Sequence, residues 1–149
     1  MNRIVEIPTT KNPCLVQVKS TQSIKVHTSF EGIHFYPGAP EPVKDLRNEH
    51  RHIFHVRYQI TVFHTDREIE FWLLVHDVNE AIKTLYQDVT TYPNAHYLGA
   101  KSCEMIAQDI YHQLRQKYNY LNRKVVIEVT EDDNNGSVIE FETKEAYHD

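Results

Sequence analysis

A chain of 149 residues, 40% hydrophobic and 25% charged, suits one globular domain around one core, so a single domain over 1–149 is expected. The net charge of -5, with histidines neutral, argues against a broad nucleic-acid-binding surface. Met1 to Pro8 lacks the apolar core of a signal peptide, and no run approaches the ~20 apolar residues of a membrane span. A cytoplasmic protein with no membrane or nucleic-acid partner is therefore expected. Cys14 and Cys103 have no metal-type spacing, which predicts reduced thiols and excludes a disulfide framework.

In chain order, a short strand is predicted at Cys14 to Lys19 and a long one at about Ser23 to Phe35. Tyr36 to Pro42 is rich in turn residues and opens a loop longer than a hairpin needs. A second long strand starts at His50 and turns at His64 to Arg67 into a third, Glu68 to Val75, forming a hairpin. Asp77, with Glu80 three residues on, reads as the cap of a first helix whose apolar positions are Val78, Ala81, Ile82, Leu85 and Val89. Thr90 to Gly99 reads as irregular. Ser102 caps a second helix with Cys103, Ile106, Ala107, Ile110, Leu114 and Tyr118 on one stripe. Lys124 to Glu131 and Ser137 to Thr143 form a closing hairpin, with Asn135-Gly136 suited to a tight turn. The predicted class is α+β, in the order ββααββ. The acidic tip Glu131-Asp132-Asp133 reads as solvated apart from its first residue.

Strand alternation singles out three histidines. Residues two apart on a strand share a face, so His50 and His52 begin the face continued by Phe54, Val56, Tyr58, Ile60 and Val62. On the earlier strand His34 ends the face carrying Ile24, Val26, Thr28, Phe30 and Gly32. Antiparallel pairing sets the end of one strand beside the start of the other and gathers the three imidazoles at one rim. Three neutral imidazoles with an open position form a catalytic zinc pattern. Glu131 shares a face with Val125, Ile127 and Val129, and a carboxylate ending an apolar face needs a donor or solvent. Cys103, at the start of an amphipathic helix, reads as a packed side chain rather than a nucleophile.

Phe30-Glu31-Gly32-Ile33-His34 resembles the Phe-x-x-x-His signature of the 6-pyruvoyl-tetrahydropterin synthase and 6-carboxytetrahydropterin synthase family, and Glu49 to Val56 resembles its His-Gly-His strand. Asp77 to Ala81 is similar to its Asp-Phe-x-x-Leu helix start, Lys101 to Ala107 to its Pro-Thr-x-Glu-x-x-Ala helix, and Val129-Thr130-Glu131 to its Val-x-Glu strand. The resemblance implies the tunnelling fold: an antiparallel four-stranded sheet with two helices on one side, joined by subunit association into barrels, commonly a hexamer of two trimers. It implies Zn2+ on His34, His50 and His52. It implies that Glu131 holds the amino and ring N–H groups of a pterin, which two carboxylate oxygens suit. Family reactions start from a dihydropterin such as dihydroneopterin triphosphate, whose side-chain oxygens bind zinc while a general base removes a proton.

Two departures qualify that chemistry. The family's thiol falls within Val43 to Glu49, which contains no Cys, and its Asp-His-x-x-Leu-Asn motif falls on Asn94 to Gly99, which keeps only a fragment. Asp45, Glu49 or His96 then stands as the replacement catalytic base. The alternative is a catalytically degenerate homologue with a binding or structural role, and a third reading is a nucleotide-pathway enzyme with changed chemistry on the same scaffold. Lys44, Arg47, Arg51 and Lys101 are the nearby cations available to a triphosphate.

Overall fold

The computed structural model describes residues 2–7, 14–87 and 92–146. Two strands, β1 (Asn2–Ile7) and β2 (Cys14–Lys19), pair antiparallel as a ribbon separate from the main sheet. The main sheet is built on β3 (Gln22–His34) and β4 (His50–Val62), antiparallel over their full thirteen residues, with His34 opposite His50 and Gly32 opposite His52. β6 (Lys124–Glu131) pairs with the other side of β4, and β7 (Asn135–Glu142) closes that edge. A fifth strand, β5 (His96–Gly99), runs parallel to the end of β3, giving the order β5-β3-β4-β6-β7.

The expected four antiparallel strands are therefore present, but the sheet has five members, because the segment expected to be irregular supplies β5. Four residues are too few for a periodic signature. The parallel pairing they make depends on a distant strand, which no local pattern encodes.

Alternation builds the core face. Phe54, Val56, Tyr58, Ile60 and Val62 of β4 are all buried, as are Val125, Ile127 and Val129 of β6. Helices α1 (Phe71–Leu85) and α2 (Cys103–Leu114) cover this one face. The α2 stripe is as expected up to the helix end: Cys103, Ile106, Ala107, Ile110 and Leu114 are buried, and Ser102 accepts a hydrogen bond from the Met105 N–H at 3.3 Å, whereas Tyr118 lies past the last turn.

The expected third strand at Glu68 to Val75 is not formed. Chain 63–70 is a bend, and α1 begins at Phe71, capped by the Glu70 carboxylate accepting from the Leu73 N–H at 3.0 Å. Residues 71–75 are apolar throughout, so alternate residues and helical spacing fit equally well. Burial of Leu74, Asp77, Val78, Ala81 and Ile82 decides for the helix, leaving Phe71, Trp72 and Leu73 exposed. Asp77 is thus no cap: it lies within α1, buried, and binds Lys117 and Tyr118 beyond α2. Val89 lies outside the described residues.

The β6–β7 turn also differs from expectation. Positive φ falls on Asp132 (53°) and Asp133 (55°), with Asn135 and Gly136 already in β7. Gly136 is needed for closeness instead: a Cβ there would lie 2.0 Å from the Val129 carbonyl oxygen and 2.5 Å from the Thr130 Cα.

Candidate metal centre

The β3–β4 register brings His34, His50 and His52 together, with one ring nitrogen of each within 4.8 Å of the others. The rings meet edge to face, with centroids 4.6 to 5.4 Å apart, and Phe54 lies edge-on beneath His34 and His52. Each imidazole has an acceptor at Nδ1: the Lys101 carbonyl for His34 at 2.9 Å, the Asn48 carbonyl for His50 at 2.8 Å, and the Asp132 carboxylate for His52 at 2.6 Å. An acceptor at Nδ1 places the proton there and leaves the Nε2 lone pair free, the arrangement that orients metal-binding histidines.

Glu131 faces the same point. Its Oε1 lies 3.1 Å from His34 Nε2 and its Oε2 lies 3.4 Å from His52 Nε2. Yet the buried His34 Nε2 meets no partner along a hydrogen-bond direction. A buried imidazole lone pair opposite a carboxylate oxygen sets acceptor against acceptor, an arrangement relieved by a cation. The residues present fit zinc: three imidazole nitrogens and a side left open. Burial pulls the His34 pKa down, but Glu131 and the Lys101 carbonyl outweigh it and raise it above the ordinary value. The His34 contact holds the Glu131 carboxyl below the usual range against its own burial.

A cavity of about 330 Å³ opens onto His34 and His50, walled by Tyr36, Leu46, Lys101, Cys103 and Glu131. Its mixed lining and converging polar groups suit a small heteroaromatic ligand. A larger open hollow of about 800 Å³ surrounds Thr61, Arg123 and Lys124 at the other end of β4, away from the imidazoles. Burial pushes the Cys103 thiol up to about 12, with Glu131 and Glu104 adding to it.

The other sequence candidates have surroundings of their own. Asp45 is exposed on a 3-10 segment, Glu41–Arg47, that occupies the expected loop. Glu49 is exposed and accepts a hydrogen bond from the Tyr97 hydroxyl at 2.9 Å. His96 is half-buried, with its Nδ1 2.8 Å from the Tyr86 carbonyl and its ring edge-on to Phe30. Of the expected cations, Arg47 binds the Ala39 carbonyl and Glu41, Arg51 binds Glu31 and Lys101 binds Asp109. The sequence pattern does not single out Asp132, which binds His52 instead of being only solvated, nor Asp133, which reaches Arg57 at 2.8 Å. Both followed from placing the end of β6 beside the start of β4.

An α+β sheet carrying two helices on one face, with a three-histidine cluster at its rim, defines the class. No protein-family model and no curated protein matches the chain. Solved structures do. The 6-pyruvoyl tetrahydropterin synthase of Plasmodium falciparum aligns at 19% identity and a TM-score of 0.56, over 83% of this chain and 99% of that one. The Plasmodium vivax enzyme aligns at 16% and 0.58, over 83% and 99%. The Caenorhabditis elegans enzyme aligns at 12% and 0.52, over 83% and 96%. At these identities the likeness is one of fold. Among the described residues, no helix is long and apolar enough to cross a membrane.

Proposed function

We propose that this chain is a zinc-binding homologue of the 6-pyruvoyl-tetrahydropterin and 6-carboxytetrahydropterin synthases that acts on, or binds, a dihydropterin such as dihydroneopterin triphosphate. The observation that carries the reading is the triad itself: three imidazoles on adjoining strand ends, each with an acceptor at Nδ1, bring one ring nitrogen each within 4.8 Å of the others beside a cavity. His34, His50 and His52 would hold the metal, which would supply Lewis-acid polarisation of a ligand oxygen. Glu131 borders the same cavity, where its oxygens can accept a pair of ring and amino N–H groups. As a lyase of this type, the protein would use Asp45, Glu49 or His96 as its base.

The reading includes a cytoplasmic homo-oligomer, a trimer or hexamer, formed by one domain over 1–149. Its support is the sheet's two edges. β7 is an edge strand, and β3 pairs with β5 only from Gly32 onward. Open edges are natural sites for strand pairing between copies.

A second reading, a catalytically degenerate homologue with a binding or structural role, is favoured by the proton-transfer candidates. Glu49 is engaged by Tyr97 and His96 by a helix-end carbonyl, while Cys103, outside that set, keeps its thiol protonated through burial.

Metal analysis of the wild type and His50→Ala, each then mixed with dihydroneopterin triphosphate and its products separated, decides between them. Stoichiometric zinc lost in the variant, with substrate consumed by wild type alone, supports the enzyme. Zinc without turnover supports the degenerate homologue, and metal-free wild type overturns both.

A further inference from the structure

The acidic turn between β6 and β7 carries two consecutive left-handed aspartates, at φ 53° and 55°. Such backbone is unfavourable for a residue with a Cβ, although aspartate tolerates it better than most, and an outlier of this kind is a pointer to a task. Here it turns the chain back onto β4. The Asp132 N–H donates to the Ile53 carbonyl at 2.8 Å, and its Oδ1 accepts from the Ile53 N–H at 2.9 Å. Its Oδ2 is thereby delivered to His52 Nδ1 at 2.6 Å. Asp133 anchors the turn on the neighbouring Arg57, which also holds Glu128 at 3.0 Å.

His52 is consequently gripped at both nitrogens by consecutive carboxylates: Asp132 at 2.6 Å on Nδ1 and Glu131 at 3.4 Å on Nε2. The closer, hydrogen-bonded contact takes the ring proton, so Nε2 is left as a lone pair. His34 and His50 obtain the same orientation from backbone carbonyls, which no side-chain substitution removes. Only His52 depends on a side chain for it.

We propose that Asp132 is the positioning residue of the cluster, fixing His52 as its Nδ1–H tautomer and turning its Nε2 toward a divalent metal. The proposal rests on the metal-binding reading above, but its tautomer component stands without metal. It also assigns the left-handed turn a purpose.

The test uses wild type, Asp132→Gly and Asp132→Asn. Glycine accepts the positive φ without strain, so Asp132→Gly removes the carboxylate while sparing the turn, and thermal unfolding confirms that it folds. Zinc affinity is measured by competition with a chromogenic chelator. The expected loss in Asp132→Gly is about 10- to 100-fold, and Asp132→Asn should lose affinity too, because its single carboxamide oxygen cannot accept from both the Ile53 N–H and His52 Nδ1. In zinc-free protein at alkaline pH, imidazole 15N–1H spectra should show His52 protonated at Nδ1 in wild type and should show that preference lost in both variants. Unchanged affinity in Asp132→Gly, or an Nε2–H tautomer in wild type, would overturn the proposal. Should wild type bind no zinc, the metal reading fails, and the His52 tautomer alone decides whether Asp132 positions the ring.

Discussion

Gly32 sits against Phe54 so closely that a Cβ at position 32 would lie 2.9 Å from two ring carbons of Phe54, and 2.7 Å from Leu98 Cδ1. Phe54 is fully buried and supports the His34 and His52 rings. One hydrogen atom as a side chain is therefore what lets β5, β3 and β4 close around the base of the triad. Gly32→Ala should destabilise the fold by about 1–3 kcal/mol through overpacking. It should also weaken metal binding by tilting the two imidazoles. Denaturant unfolding and chelator competition on the same preparation measure both; a variant with unchanged midpoint and affinity would contradict this account.

Asp77 gives the stability a defined acid limb. Burial pushes its carboxyl up, but hydrogen bonds from Lys117 and Tyr118, the latter at 2.5 Å, outweigh that and hold it below the ordinary value. A depressed carboxyl contributes stability that is complete above its unfolded pKa of about 4 and is lost as pH falls through the lower folded value. Asp77→Ala should cost about 2 kcal/mol at pH 7, and the difference from wild type should shrink as pH falls below about 4. Urea midpoints from pH 7 down to pH 2.5 give the curve. A difference that stays constant throughout would show that the charged form of Asp77 stabilises nothing.

Tyr58 and Tyr120 share a buried hydroxyl contact at 2.5 Å. Burial raises both phenols well above their ordinary range. Removing one hydroxyl strands the other, a penalty of about 1–3 kcal/mol. Tyr58→Phe and Tyr120→Phe should therefore each destabilise more than half as much as the double variant, and the cycle should show positive coupling. Strict additivity would mean that each hydroxyl has another partner.

Cys103 should resist thiol reagents. With its pKa raised to about 12, almost none of it is thiolate at pH 8. Iodoacetamide followed by peptide mapping should leave Cys103 unmodified in the folded protein and label it fully in guanidinium. Rapid labelling without unfolding would instead make it accessible to chemistry in the cavity.

The triad was legible in the sequence because strand parity and antiparallel order are local and obligatory: once His34 ends one face and His50 begins another, pairing leaves them no other neighbours. Glu131 was legible by the same parity. The helix start was not, because Phe71 to Val75 is apolar at every position and only packing of Leu74 and Val78 reveals the period. β5 and the Asp132 contact escaped for a different reason. Both depend on which distant strand lies alongside, and four residues or one turn carry no periodic signal of that. Asp45 and Glu49, named as proton-transfer candidates for their nearness to His50 along the chain, are both exposed residues.

β4 carries the two imidazoles and the centre of the core on a single run of pleats. A slip of one residue against β3 would turn His50 and His52 to the opposite surface and, in the same movement, expel Phe54, Val56, Tyr58 and Ile60 from beneath the helices. The face on which the histidines stand is thus guarded by the whole hydrophobic interior, while the rim sets only the orientation of their rings. The interior, by contrast, has little need of the histidines. Changes of chemistry at the rim can accumulate on this scaffold without loosening it, so a lineage could exchange its reactive groups while the frame that aims them stays the same.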